Sequence, residues 1–515
     1  MSYVDIVKDI IDNCYFTHFP KEFSRDGDLI AGVGDFFTNI LNHEMYEIYG
    51  ERKVFHDEKV VRFLKEYNKD NDGNFGCHDV RLEDAINSDR KGIIQFDLHP
   101  VTNFENPFEV TKSYFFDILL QDSEILENMR NGKVTLFFYQ GWEAENFTTS
   151  TFPKDKFNGY YDLFDTILKE YNLPPSSIII LCSNLLGEAY EDRYRIKVIH
   201  DSAIELASFI SFQKMGGTFT GFNKYALDYP IEEYIKNIKK CESKLLRVNR
   251  TPHPTRDWML YILHKLKYFE ESIVEHKYFD YKNIIYDGNF CNSGKLYGKK
   301  DESFSFISKI FDAHFAVNNE PHGTIPNLAI KEEDEKIFNK IDSDLPYIAS
   351  NFEKNGVYIS NTHHSNKAIP YDVYKKSIFS WVSVSLPDHA NMVFLNQSTF
   401  NPVLNYHPIV WFGHRHTIKY FKKYGYKSYD WLFDESSDNI VEEGNTYTEN
   451  TWKRMIHNII EVNKVMSYDR DKLVSIIENN KDDLNHNREL LWKCKSIKRI
   501  ITKFYNILEN NWKGI

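Results

Sequence analysis

The stretch "VFLNQSTFNPVLNYHPIVWFGHRHTIKYFKKYGY", residues 393–426, decides the fold class. It reads as a strand tail, a helix, a short apolar strand, a turn and a second helix. "PIVWFG" is apolar without alternation, the composition of a strand buried on both faces. Such strands belong to parallel sheets wound with helices, and helix starts then fall at the carboxyl ends of strands. Polar residues stand at these points. Asn396, Gln397, Ser398 and Thr399 open the first helix, and His414, Arg415 and His416 follow the strand. A helix start offers unpaired N–H groups and partial positive charge, so each set reads either as an anion site or as an ordinary capped turn.

The same alternation extends outward. Upstream, "CESKLLRVNRTPHPTRDWMLYILHKL" (241–266) is a strand ending in Asn249 and Arg250, then two prolines, then a helix with Trp258, Ile262 and Leu266 at spacings of four. Further upstream, "GIIQFDLHP", "KVTLFFYQ", "SSIIILCSN" and "RYRIKVIH" read as strands between helices, the first ending in Asp97, His99 and Pro100. Gly132 and Pro174 stop the intervening helices. The reading is therefore α/β with four regions: a helical N-terminal region (1–88), one wound domain (89–240), a second (241–468), and charged C-terminal helices (469–515). In the last region Ile497, Ile501, Phe504 and Leu508 form a stripe expected to pack on the body. "KSYDWLF" (427–433) is expected to continue the strand–helix order of the second domain.

Bulk properties narrow the function. A chain of 515 residues is too long for one core. A net charge of -12 argues against general nucleic-acid binding, which needs a basic face, but permits a local basic pocket. The six cysteines are scattered without a CxxC pair, which points to free thiols in a reducing cytoplasm. No signal peptide and no membrane span is read from the sequence, so the sequon at Asn146 is taken as chance.

Arg250 and Arg256, with Asn249 and His253, could fork a diphosphate. Gln397, Ser398 and Thr399 could hold a phosphate or ribose, and His414 and Arg415 an anion. In the first domain Asp97, His99, Glu143, Glu145, Ser183 and Asn184 follow strands, and a carboxylate or His there could serve as general base. "DESSDN" (434–439) reads as a helix-flanking acidic turn rather than a metal site, and His363-His364 has no third ligand at useful spacing.

"LLRVNRTPHPTRDWMLYIL" resembles the "LxxNRRPRPHRxxLL" segment of glycosyltransferase-like proteins of tailed phages and large viruses. The stretch from Val393 to Asn439 resembles their later block, an "FxTEKTFKPI" helix, "PFIxxG", "GFKTF" and "DESYD". That block is also similar to the donor-site block of α1,3-fucosyltransferases. "LFFYQGWEAE" and "SSIIILCSN" resemble the N-terminal half, so the likeness spans about residues 90–465. It implies a GT-B fold, two Rossmann-like domains facing a cleft, here with helical N- and C-terminal extensions. The nucleotide sugar would sit on the second domain and the glycan acceptor on the first. Asn249, Arg250 and Arg256 would hold the diphosphate, with His414 or Arg415 as supplements, and Gln397 would contact the nucleoside. Glu143, or else Asp97 or His99, would be the base. No metal or other cofactor is implied, because side chains and helix dipoles neutralise the leaving diphosphate. The expected location is the cytoplasm, that of the host for a viral protein.

One departure matters. Where the family has Thr-Glu-Lys, this chain has Asn396-Gln397-Ser398. Gln397 keeps a hydrogen-bonding group, but Ser398 brings no charge. A catalytically degenerate GT-B protein, serving as a glycan-binding or virion-associated structural component, is the rival expectation. A P-loop or dehydrogenase-type enzyme lacks its glycine fingerprint here. Donor, acceptor and oligomeric state are left open by the sequence.

Overall fold

A computed structural model of the chain describes residues 1–18, 91–97, 123–140, 160–186, 195–201, 230–275 without 242 and 249–253, 374–383, 393–441 without 396, and 447–512 without 494, together with 41, 44 and 336. The fold is α/β, and the chain divides into two compact units. The first is Met1–Gly217 with Cys494–Ile515; the second is Thr218–Lys493.

In the first unit, α1 (Tyr3–Asn13) opens with a capping box: Ser2 Oγ accepts from the Asp5 N–H, and the Asp5 carboxylate accepts from the Ser2 N–H. It runs straight into β1 (Cys14–His18). Then come β2 (Lys91–Asp97), α2 (Ser123–Arg130), β3 (Val134–Gln140), α3 (Tyr160–Glu170), β4 (Ile178–Cys182) and β5 (Lys197–His200). The N-terminal region, read from sequence as helices and loops, thus supplies a strand. "CYFTH" holds Tyr, Phe and Thr, which favour strands, but it is only five residues long and abuts a helix with no turn residue between, so its strand signal is easily missed.

The strands of this sheet lie in the order β1-β2-β3-β4-β5, all parallel. Successive strand residues point to opposite faces, and Phe137 and Phe138 of β3 show what meets each. The Phe138 ring lies 4.8 Å from Phe164 of α3, and the Phe137 ring lies edge-on at 5.5 Å to Phe504. Phe504 belongs to the final helix, which returns to the first unit and buries Ile497, Ile500, Ile501, Phe504 and Leu508 completely. The sequence stripe did mark a packed helix, and its surface is the first sheet.

Among the described residues, the elements of the second unit are α4 (Ile231–Ile238), β6 (Leu245–Val248), α5 (Pro254–Lys265), β7 (Ser272–Glu275), β8 (Phe379–Ser383), α6 (Gln397–Leu404), β9 (Ile409–Phe412) and α7 (Thr417–Lys423). A 3-10 turn (Ser436–Asn439) leads to α8 (Tyr447–Met466), α9 (Arg470–Asn479) and α10 (Lys481–Trp492), and the final helix of the chain is α11 (Lys495–Trp512). The sheet is parallel in the order β7-β6-β8-β9. After β7 the chain returns past β6 to build on its other side, so the winding reverses between β6 and β8. Residues 427–433, expected to continue the strand order, form no strand, and 430–432 are a turn. Their aromatic residues pack inward, with Tyr429 against Trp411 and Phe421.

A buried polar pair locks the amino edge of this sheet. His407, fully buried, has Nδ1 2.9 Å from Ser380 Oγ and Nε2 2.8 Å from the Tyr374 carbonyl. A carbonyl only accepts, so Nε2 carries the proton and Ser380 donates to Nδ1. Burial pushes this imidazole down to about 3.

Candidate functional site

Ligands of wound parallel sheets bind beyond the carboxyl ends of strands, where the winding reverses. In the second unit that point lies between β6 and β8. Asn249, Arg250 and His253 follow β6 but lie outside the described residues, as do His99 and Glu143 of the first unit. Arg256 is the third residue of α5, whose first residue, Pro254, fits a position where the missing N–H is no loss. Gln397 and Ser398 are the first two residues of α6, and Asp97 is the last of β2. For these four the backbone position alone is described. Thr399 is completely buried rather than at a solvated cap.

The carboxyl end of β9 is described in detail. Gly413 permits a close approach of a protein side chain. A Cβ there would lie 2.6 Å from Thr417 Oγ1, which donates to the His414 carbonyl at 2.7 Å. His414 is 1% exposed, in a packed wall rather than in a solvated turn. His416 adopts a left-handed conformation (φ 71°), with Nδ1 2.9 Å from Asn439 Oδ1 and its N–H donating to the Asp438 carbonyl. Burial, helped by the Arg415 charge, holds its imidazole below the ordinary histidine range.

The start of α7 is filled by the chain itself. The Asp438 carboxylate accepts from the Ile418 N–H at 2.9 Å and the Lys419 N–H at 3.0 Å. Burial raises Asp438 above the usual carboxylate range, against these two donors and the charges of His416 and Arg454. The rest of "DESSDN" is used in the same way. Asp434 accepts from the Ser436 N–H and lies 3.4 Å from His457. Glu435 accepts from the Tyr429 N–H and pairs with Lys422. Ser436 meets His457, Ser437 meets Asn458, and Asn439 meets His416. The acidic run is a clasp between α7 and α8. The cavity beside it, lined by residues that include Trp411, His414, Asp438, Arg454 and Asn458, measures about 10 Å³. That is room for about one water molecule. A phosphate at this helix start would have to displace Asp438, so His414 and Arg415 have lost the free N–H groups that their anion reading invoked.

At the carboxyl edge of the first sheet, the polar residues after β4 and β5 are tied to one another. His200 Nδ1 lies 2.8 Å from the Asn184 carbonyl, and Asn184 Oδ1 accepts from the Leu186 N–H. Asp201, 1% exposed, receives a two-pronged bond from Arg499 of α11, both contacts at 3.0 Å. Sequence reasoning reached Ser183 and Asn184, but not His200, Asp201 or Arg499. Nor did it reach Arg454 and Asn458, which nothing in the pattern of α8 distinguishes from other helix residues.

Among the described residues no group of three His, Cys, Asp or Glu is arranged to hold a metal ion, and no helix is long and apolar enough to cross a membrane. No family model, curated protein or solved structure matches the chain.

Proposed function

We propose that the chain is a GT-B-type glycosyltransferase, moving a sugar from a nucleotide-diphosphate donor to a glycan hydroxyl without a resident metal. One observation carries this reading. The winding of the second sheet reverses between β6 and β8, and the two residue sets that resemble a donor site follow these two strands in sequence. In this reading Asn249, Arg250 and Arg256 take the diphosphate by charge-assisted hydrogen bonds, and Gln397 takes a hydroxyl of the nucleoside. His414 and Arg415 would serve as supplements only after the clasp at Asp438 opened. The first unit supplies the acceptor-side base.

A second reading rests on a specific observation as well. Asn396-Gln397-Ser398 replaces Thr-Glu-Lys, which removes both charges of the block. A protein that binds glycans or builds a particle with a silent GT-B scaffold is its natural alternative. Thermal-shift titration with UDP-, GDP- and dTDP-sugars separates the two, because a ligand of the folded state raises apparent stability. The enzyme reading expects one donor to shift the midpoint. If no nucleoside diphosphate or nucleotide sugar binds either the parent or Ser398→Lys at millimolar concentration, the donor reading fails and the scaffold reading replaces it.

A further inference from the structure

We propose that β6 and β8 part into a crevice selective for anions, and that the buried charge of Arg247 sets its preference for a diphosphate. The proposal rests on the glycosyltransferase reading for its ligand and deepens it by locating the phosphates. The crevice is read from the strand register. β6 pairs with β7 along its whole length, from Leu245 with Ser272 to Val248 with Glu275, and β8 pairs with β9 as far as Ser383 with Phe412. Between β6 and β8 the pairing holds only for Leu245 with Phe379 and Leu246 with Ser380. The two central strands therefore part beyond Leu246 and Ser380. This is where the winding reverses and where ligands of wound sheets bind.

Two residues stand where the parting begins. Register partners share a face, and so do residues two apart on a strand. Leu245 and Phe379 are partners, so Arg247 and Trp381 lie on one face of the sheet, one on each side of the gap. Both are fully buried. The Arg247 guanidinium keeps its charge at any ordinary pH, and interactions with the rest of the chain hold it in place. The Trp381 indole N–H meets no hydrogen-bond acceptor among the described residues. A guanidinium and an indole only donate, so neither offers an acceptor at this point.

A buried charge acts through space, because salt and water screen it less than an exposed one. A ligand past the strand ends, beside Asn249 and Arg250, lies about three residues and so about 10 Å from Arg247. At that distance and an effective dielectric of about 20, one unit charge changes affinity roughly tenfold per ligand charge. Arg247 is thus a positioning residue. It touches no reacting atom, and it favours a ligand in proportion to the ligand's negative charge.

The test is a charge ladder on the full chain. The nucleoside, monophosphate and diphosphate of the base selected by thermal shift are titrated, the phosphates by calorimetry and the nucleoside by ligand-observed NMR. Arg247→Met is expected to lose roughly tenfold or more for the diphosphate, less for the monophosphate and nothing for the nucleoside. Arg247→Lys is expected to restore the ladder, which a repair of packing alone would not do. A second measurement needs no change at Arg247. With fluorotryptophan at all eight tryptophans, the Trp381 resonance is assigned by its loss in Trp381→Phe. It is expected to shift when the diphosphate binds and to stay in place when the nucleoside binds. The same ladder in the parent and in Arg247→Met, the behaviour of a charge that the fold already balances, overturns the proposal. So does a Trp381 resonance that ignores a bound diphosphate. Either result leaves donor binding in place and the glycosyltransferase reading with it. Failure of every nucleoside diphosphate and nucleotide sugar to bind the parent removes that reading, and the proposal falls with it.

Discussion

His407 makes the second unit acid-sensitive in a way that can be calculated. The imidazole is fully buried, and burial holds it at about 3. The unfolded chain has an ordinary histidine near 6.5. The folded pKa is thus depressed for a base. Above about pH 6.5 both states are neutral at this site and stability is complete. As pH falls from about 6.5 towards 3 the unfolded chain takes up the proton and the folded one does not. Stability is then lost at about 1.4 kcal/mol per pH unit. Between pH 8 and pH 5 the loss is about 2 kcal/mol, a large share of ordinary domain stability. His407→Gln keeps a donor for the Tyr374 carbonyl and cannot titrate. It should be less stable than the parent at pH 8, because the bond to Ser380 and some packing are lost. That deficit should shrink by about 2 kcal/mol at pH 5. The assay is urea unfolding followed by hydrogen exchange of peptides covering β8 and β9, at pH 8, 7, 6 and 5. The chain has 19 histidines, and the others titrate alike in both proteins and cancel in the difference. A deficit that stays constant across this range would show that His407 is not buried neutral, and the reasoning would fail.

Arg250→Ala should weaken donor binding by roughly ten- to a hundredfold with the fold intact, the worth of one charge-assisted hydrogen bond, read by titration calorimetry. Donor binding should survive EDTA; loss that manganese restores would mean a metal belongs to the site. Gly413→Ala drives a Cβ to 2.6 Å from Thr417 Oγ1 and should destabilise the second unit by about 1–3 kcal/mol, partly recovered in Gly413→Ala with Thr417→Ala. Arg499→Ala leaves the buried Asp201 carboxylate without its fork and should destabilise the first unit by about 2–3 kcal/mol, with protection lost in α11 and β5 together.

What the sequence determined by itself was local. The apolar runs behind β3, β4, β8 and β9 are legible because a strand buried on both faces needs unbroken β-branched and aromatic residues. The helix stops at Gly132 and Pro174 are legible because backbone geometry demands those residues. Strand–helix alternation then suffices for an α/β class, for two wound sheets, and for polar residues at strand ends. Tertiary structure decided everything that depends on which segments meet. The reversal between β6 and β8 is a choice of neighbours that no strand encodes alone. "CYFTH" becomes β1 only because β2 is there to pair with it. The stripe on α11 says that one face is buried, but only the tertiary structure brings Phe504 onto Phe137 of the first sheet. "DESSDN" was open to several uses in sequence. Folding brings Asp438 onto the start of α7, where two orphan N–H groups need an acceptor, and the chain supplies its own anion before any ligand can. Propensity and periodicity are properties of neighbouring residues; pairing, register and capping across the chain are set by long-range packing, which leaves no local mark.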